Sequence, residues 1–104
     1  MLNVFAVEGF LTDDVVLTFE DGKKTYKAAF HLRNPKKIGK KIFNNEFYVL
    51  VYGKKAEHCK RSLSAGMKVS VSGSLLTWFT RDENGNKQTG VTINATDVDW
   101  GNEG

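Results

Sequence analysis

Cysteine occurs once in this sequence, at Cys59, which excludes an internal disulfide and any multi-cysteine zinc site and suits a reducing compartment. Histidine occurs twice, at His31 and His58. His58 and Cys59 are neighbours in a helical stretch, so their side chains diverge, whereas a Cys–His nucleophile needs them to converge under a third, orienting group. The sequence also lacks an HExxH zinc helix and a glycine-rich phosphate cradle. The paired acids Asp13-Asp14 and Asp82-Glu83 fall in turns, where carboxylates are ordinarily solvated. The expectation is a protein that is not an enzyme and uses no metal or cofactor. No apolar run has the length of a membrane span. The N-terminus enters strand-like sequence directly, without a basic region, apolar stretch and cleavage site, so a cytoplasmic protein with no membrane partner is expected. With no repeat, linker or low-complexity segment, the 104 residues read as one domain, 1–104, large enough for its own core.

What is abundant is positive charge in one place. Of 15 Lys and Arg residues, Lys23, Lys24, Lys27, Arg33, Lys36, Lys37, Lys40 and Lys41 lie between 23 and 45, a stretch with no acid. Net charge is only +3 because the end of the chain is acidic, with Asp82, Glu83, Asp97, Asp99 and Glu103 against Lys87. Placed charge of this kind implies a polyanionic partner on one surface. Tyr26, Ala28, Phe30 and Leu32 alternate with Lys27, Ala29, His31 and Arg33, the period of a half-buried strand with a basic outer face. From about 34 to 45 the alternation is lost, and Pro35, Gly39 and four lysines read as a long basic loop.

Taken in order, Met1–Phe10 is an apolar strand with Gly9 marking a bend, of the kind small barrels need for closure. Thr12-Asp13-Asp14 is a kink, after which Val15–Phe19 resumes the strand. Asp21-Gly22 predicts a type I′ hairpin turn into the second strand. Phe47–Tyr52 is a third strand, apolar on both faces. In the following segment Ala56, Cys59 and Leu63 form a thin helical stripe, and Gly66 is placed for a helix C-cap. Met67–Thr80 alternates, with Val69, Val71 and Leu75 inward and Leu76 and Trp78 outward; Phe79 takes the core side. Asp82…Gly85 is a second hairpin turn before a last strand over Val91–Val98. Three strands, a helix and two strands predict an all-β, five-stranded OB-fold barrel with one helix between strands 3 and 4.

A basic strand, aromatic strands and a basic loop on one sheet match the physics of a single-strand binder. Cations track phosphates and release counterions, while aromatic faces stack on unpaired bases. The candidates are Lys27, His31 and Arg33 on the second strand, Lys36, Lys37, Lys40 and Lys41 on the loop, and Trp78 on the fourth strand. Tyr48 and Tyr52 share one face of the third strand and Phe47 takes the other, and a run apolar throughout leaves open which set is outward. The partner is single-stranded DNA, with RNA as the alternative. A different class, a protein-interaction OB module, would use the same aromatic strip as an interface.

The chain also resembles bacterial and phage single-stranded DNA-binding proteins of the SSB family. The resemblance rests on Met1-Leu2-Asn3, Val7, Gly9, Leu11-Thr12, Asp14, Glu46-Phe47, Tyr52-Gly53-Lys54, Ala56-Glu57, Leu63, Gly66, Val69, Val71, Gly73-Ser74-Leu75 and the Asp82…Gly85 turn. It implies an OB fold forming a homo-oligomer, a tetramer or dimer, that wraps single strands without strong sequence preference. The implied setting is replication, recombination or repair in a bacterial cytosol or nucleoid, or in the cytosol of a phage-infected host. Family stacking aromatics correspond to Phe47 or Tyr48 and to Tyr52, beside Lys54. The chain is one residue shorter than the family between Glu46 and Gly53, which flips parity and leaves Phe47 against Tyr48 open. A further family aromatic falls at Thr80, where Trp78, two residues back on the same face, takes its place. Ile38 lies near a loop position where the family often carries another. The sequence closes on Asp99-Trp100-Gly101-Asn102-Glu103-Gly104, without the acidic tip through which such proteins recruit replication partners. It therefore resembles a short, tailless form or PriB, the primosomal relative.

Overall fold

The computed structural model describes residues 5–100, together with the backbone but not the side chains of 78, 79 and 87–90. The expected outward placement of Trp78 and inward placement of Phe79, and the first residues of the expected opening strand, lie outside the described set.

Six segments build the sheet: β1 (Phe5–Leu11), β2 (Val16–Glu20), β3 (Thr25–Ile38), β4 (Lys41–Tyr52), β5 (Lys68–Arg81) and β6 (Lys87–Asp99), with α1 (Lys54–Ser62) between β4 and β5. The order β1-β5-β6-β4-β3-β2 closes on itself because β1 also pairs with β3. β1 pairs along β5 over Phe5–Phe10 and then with β3 at Phe10 and Leu11, while β2 continues along β3 from Val16 to Glu20. β1 and β2 are thus one strand broken at 12–15, and the six segments make the five-stranded OB barrel expected. The pairing is antiparallel except between β4 and β6, which run parallel at Tyr48–Leu50 and Thr92–Asn94. The helix and β5 intervene between β4 and β6, so β6 returns in the direction of β4.

Closure depends on glycine at two positions. A Cβ on Gly9 would overlap the carbonyl oxygen of Arg33, and one on Gly73 would overlap that of Asn94, beside a bulge at Ser72/Gly73. Both are places where one backbone lies directly against another. The kink is latched by its own acids. Asp13 binds β3, Asp14 Oδ1 accepts a hydrogen bond from Ala65 N–H (2.9 Å), and Lys60 Nζ donates to the Val15 carbonyl (2.8 Å). Both carboxylates stay open to solvent as turn acids do, and each in addition accepts a backbone N–H, Asp13 from His31 and Asp14 from Ala65.

The core is Leu11, Val15, Phe30, Leu32, Val49, Val51, Val69, Val71 and Ile93, closed at one end by Ala56, Cys59 and Leu63 of the helical stripe. Each large side chain so buried contributes about 1.5–3 kcal/mol relative to exposure. Burial pushes the Cys59 thiol up to about 11, so it is protonated and inert at neutral pH. Among the described residues no helix is long and apolar enough to cross a membrane.

Three local expectations differ. Gly22 does not take a positive φ; Lys24 does (φ 55°), in a four-residue turn closed by Lys24 N–H donating to Asp21 (3.2 Å). The helix ends at Ser62, because Leu63 turns extended (φ −104°, ψ 143°) to drop its side chain into the core. Gly66 (φ 93°) instead turns the chain into β5, where its N–H donates to the Leu11 carbonyl (2.8 Å). The largest difference is at 34–45, which is not a loop. β3 and β4 stay paired from Asn34↔Asn45 to Ile38↔Lys41 and turn only at Gly39 (φ 63°) and Lys40, forming a hairpin arm that extends past the barrel. The backbone ladder holds the arm, and no core lies beneath it to impose alternation.

Candidate nucleic-acid interface

Directly opposed residues of an antiparallel pair share a face. The β3–β4 register therefore sets Lys27 beside Tyr52, His31 beside Tyr48 and Arg33 beside Glu46 on the outer face of the barrel. Phe47, Val49 and Val51 face inward; Val49 and Val51 are fully buried, and Phe47 is half-buried against Phe5 (5.5 Å between ring centroids). Tyr48 is exposed, and its ring lies 5.0 Å from that of His31. The structure thus separates the two aromatics left open by the sequence: Phe47 belongs to the core side, and Tyr48 to the surface. Tyr52 is half-buried, and the Lys23 ammonium sits 4.2 Å above its ring, a cation–π contact within the usual range.

Lys27, His31 and Arg33, the three polar side chains that β3 presents on this face of the barrel, each already meet an acid. Lys27 Nζ lies 2.7 Å from Glu20, His31 Nδ1 2.7 Å from Asp13 Oδ2, and Arg33 Nη2 donates to Glu46 Oε1 at 3.2 Å. Asp13 also accepts the His31 backbone N–H (2.9 Å), and the Thr12 N–H donates to the His31 carbonyl (3.0 Å), so the kink clamps this point of β3. Partial burial alone would push the Asp13 carboxyl up, but the hydrogen bonds from His31 and the ring's charge hold it below its ordinary value. The hydrogen bond from Lys27, with its charge, likewise lowers Glu20, and the same hydrogen bond raises Lys27.

The arm differs. Lys37 and Ile42 continue the outer face, Lys36, Phe43, Ile38 and Lys41 the opposite one, and Lys40 stands at the turn. All seven are exposed, and no acid pairs with these lysines among the described residues. Lys54 is exposed in the first turn of α1, off the sheet. The face therefore brings together Lys27, His31, Arg33, Tyr48 and Tyr52 and leads into Lys36, Lys37, Lys40 and Lys41; Phe47 is turned away from it. Sequence reasoning passed over Phe43 and Ile42, exposed beside the lysines, and Lys23, whose ammonium covers Tyr52. The apolar pair was hidden by reading 34–45 as a loop, although Lys-Ile-Phe is a strand-like triplet. Leu76 on β5 is exposed, as its parity requires.

Chemically, this surface offers an aromatic and an imidazole ring side by side, a second aromatic four residue pairs along the ladder, and a cationic extension without acids. Among the described residues, no group of three or more His, Cys, Asp or Glu converges as metal ligands would. Among solved structures the chain is similar to a small single-stranded DNA-binding protein from Streptomyces coelicolor. The two share 18% identity over 94% of this chain and 93% of that one with a TM-score of 0.77, a likeness of fold. Comparison with curated protein sequences returns no match. The model of the single-strand binding protein family matches residues 2–100, and with nearly the whole sequence covered the chain belongs to that family.

Proposed function

We propose that this protein binds single-stranded DNA with little sequence preference, acting as a non-enzymatic partner in replication, recombination or repair. The observation that carries the reading is the outer β3–β4 face, where exposed Tyr48 and His31 adjoin an arm of four acid-free lysines. Bases stack on the rings, and phosphates follow the strands toward Lys36, Lys37, Lys40 and Lys41, releasing counterions. Family membership supports the same ligand class. Self-association into a homo-oligomer belongs to this reading, and sedimentation equilibrium tests it separately. Tyr48→Ala is expected to weaken binding of an oligo-dT strand about 5- to 150-fold, the equivalent of the 1–3 kcal/mol carried by one stacked base, while leaving the melting temperature in place. Unchanged affinity removes Tyr48 from the site. A clear preference for a matched RNA strand would move the assignment to RNA.

A further inference from the structure

Lys27 and Arg33 are the cations that β3 presents on the barrel face of Tyr52 and Tyr48, and each is held by a carboxylate of the same chain. Glu20 reaches Lys27 across the β2–β3 hairpin, and Glu46 sits directly opposite Arg33 in the β3–β4 ladder. A phosphate oxygen and a carboxylate oxygen make the same charge-assisted hydrogen bond to an ammonium or guanidinium group. A strand crossing this face therefore meets cations that already hold a carboxylate, and acids that repel its phosphates.

We propose that Glu20 and Glu46 are internal competitors of phosphate, holding the affinity of the barrel face for a single strand below what its cations and rings could deliver. This rests on the single-strand reading above. Both ion pairs are solvent-accessible, with side chains between about a quarter and three-fifths exposed, so a phosphate can reach either partner. Glu20 is well placed to compete, because the Lys27 ammonium holds it ionised below the ordinary carboxyl range. Asp13 is a different case. It also accepts the His31 backbone N–H and latches the kink, so its role is positional: it holds the imidazole against Tyr48. The consequence is a division of labour, in which the arm supplies the salt-dependent attraction and the barrel face supplies stacking with muted charge. Binding stays reversible, and a strand can exchange ring contacts without first leaving strong phosphate sites.

The test is anisotropy of a fluorescein-labelled oligo-dT strand titrated with the full chain between 50 and 300 mM NaCl. It compares the unmodified protein, Glu20→Gln, Glu46→Gln and the double variant. Glu8→Gln, which releases Lys68 on the β1–β5 strands, controls for net charge. A freed cation that gains a phosphate adds about 0.7 to the slope of log affinity against log salt, worth about 8-fold in affinity at 50 mM. Each single variant should tighten binding by up to that factor beyond Glu8→Gln and steepen the slope, the double more so. Adding Lys27→Gln to Glu20→Gln should abolish that variant's gain. Tight binding by the unmodified protein, with variants no tighter than Glu8→Gln, would overturn the competitor role and leave the single-strand reading intact. Weaker binding by the variants would overturn it too, by showing that the acids position the cations for the ligand. If neither the unmodified protein nor any variant binds at 50 mM, the single-strand reading itself fails.

Discussion

Replacing Lys36, Lys37, Lys40 and Lys41 by Gln separates the arm's electrostatics from everything else in the protein. All four side chains are exposed, none is part of the core, and Gln keeps a comparable stem in the hairpin. The ladder from Asn34↔Asn45 to Ile38↔Lys41 is backbone bonding and survives the change, so circular dichroism and the melting temperature should hardly move. Binding should change sharply. On a single strand each neutralised phosphate contributes about −0.7 to the slope of log affinity against log salt. Four contacts give about −2.8, so raising salt from 50 to 200 mM should weaken the unmodified protein about 50-fold through the arm alone. The variant should lose that component and show a much flatter dependence. The assay is the same titration at four or five salt concentrations. A variant that binds as tightly and falls as steeply as its parent would refute the assignment of phosphate contacts to the arm. The attraction would then have to reside on Lys23, Lys24, Lys54 or the paired cations of the barrel face.

Further outcomes follow from the same geometry. Phe47→Ala should destabilise the fold by roughly 2–3 kcal/mol, as for an aromatic partly buried against Phe5 and the core, whereas Tyr48→Ala should shift the urea midpoint little; equal losses would contradict their placement on opposite faces. Gly9→Ala should cost about 1–3 kcal/mol or more, because its methyl meets the Arg33 carbonyl rather than a yielding side chain; a urea midpoint equal to the parent's would mean that β1 and β3 separate freely there. The folded-state pKa of Asp13 is lowered, so its stabilisation is fully present above the ordinary carboxyl pKa and disappears as pH falls through the lower, folded value. Asp13→Asn should therefore be less stable than its parent at pH 7, and the gap should narrow by pH 3 in urea titrations; a gap that is constant with pH would remove the carboxylate charge from the explanation.

The parts of this fold legible in the sequence are those where side chains answer to a core. Ala56, Cys59 and Leu63 fall at helical spacing because they close the barrel end, and Val69 and Val71 alternate with serines because one face of β5 is buried. Gly9 stood out as a glycine inside a strand, and the reason is close approach: only a residue without a Cβ fits against the Arg33 carbonyl there. The arm was not legible for the converse reason: past the barrel no core lies beneath it, so residues 34–45 carry no alternation even though the backbone pairs up to the turn at Gly39 and Lys40. Phe47 and Tyr48 could not be assigned from a strand apolar on both faces; the β3–β4 register and the position of the core were needed. The acids opposite the basic face were also invisible. Asp13 and His31 lie 18 residues apart, and Glu46 meets Arg33 only once the hairpin register is known. A stretch free of acids in sequence became, in three dimensions, a face on which Lys27, His31 and Arg33 each meet an acid from elsewhere in the chain.

The most direct test of the central claim is competition at 100 mM NaCl. A labelled oligo-dT strand bound to the protein is challenged with unlabelled oligo-dT, a mixed-sequence single strand of equal length and the corresponding duplex. Displacement by both single strands at similar concentrations, with the duplex far weaker, is the predicted result, because only unpaired bases can stack on Tyr48 and its neighbours. Displacement by duplex as readily as by single strand would reduce the interaction to charge alone and contradict a base-stacking interface.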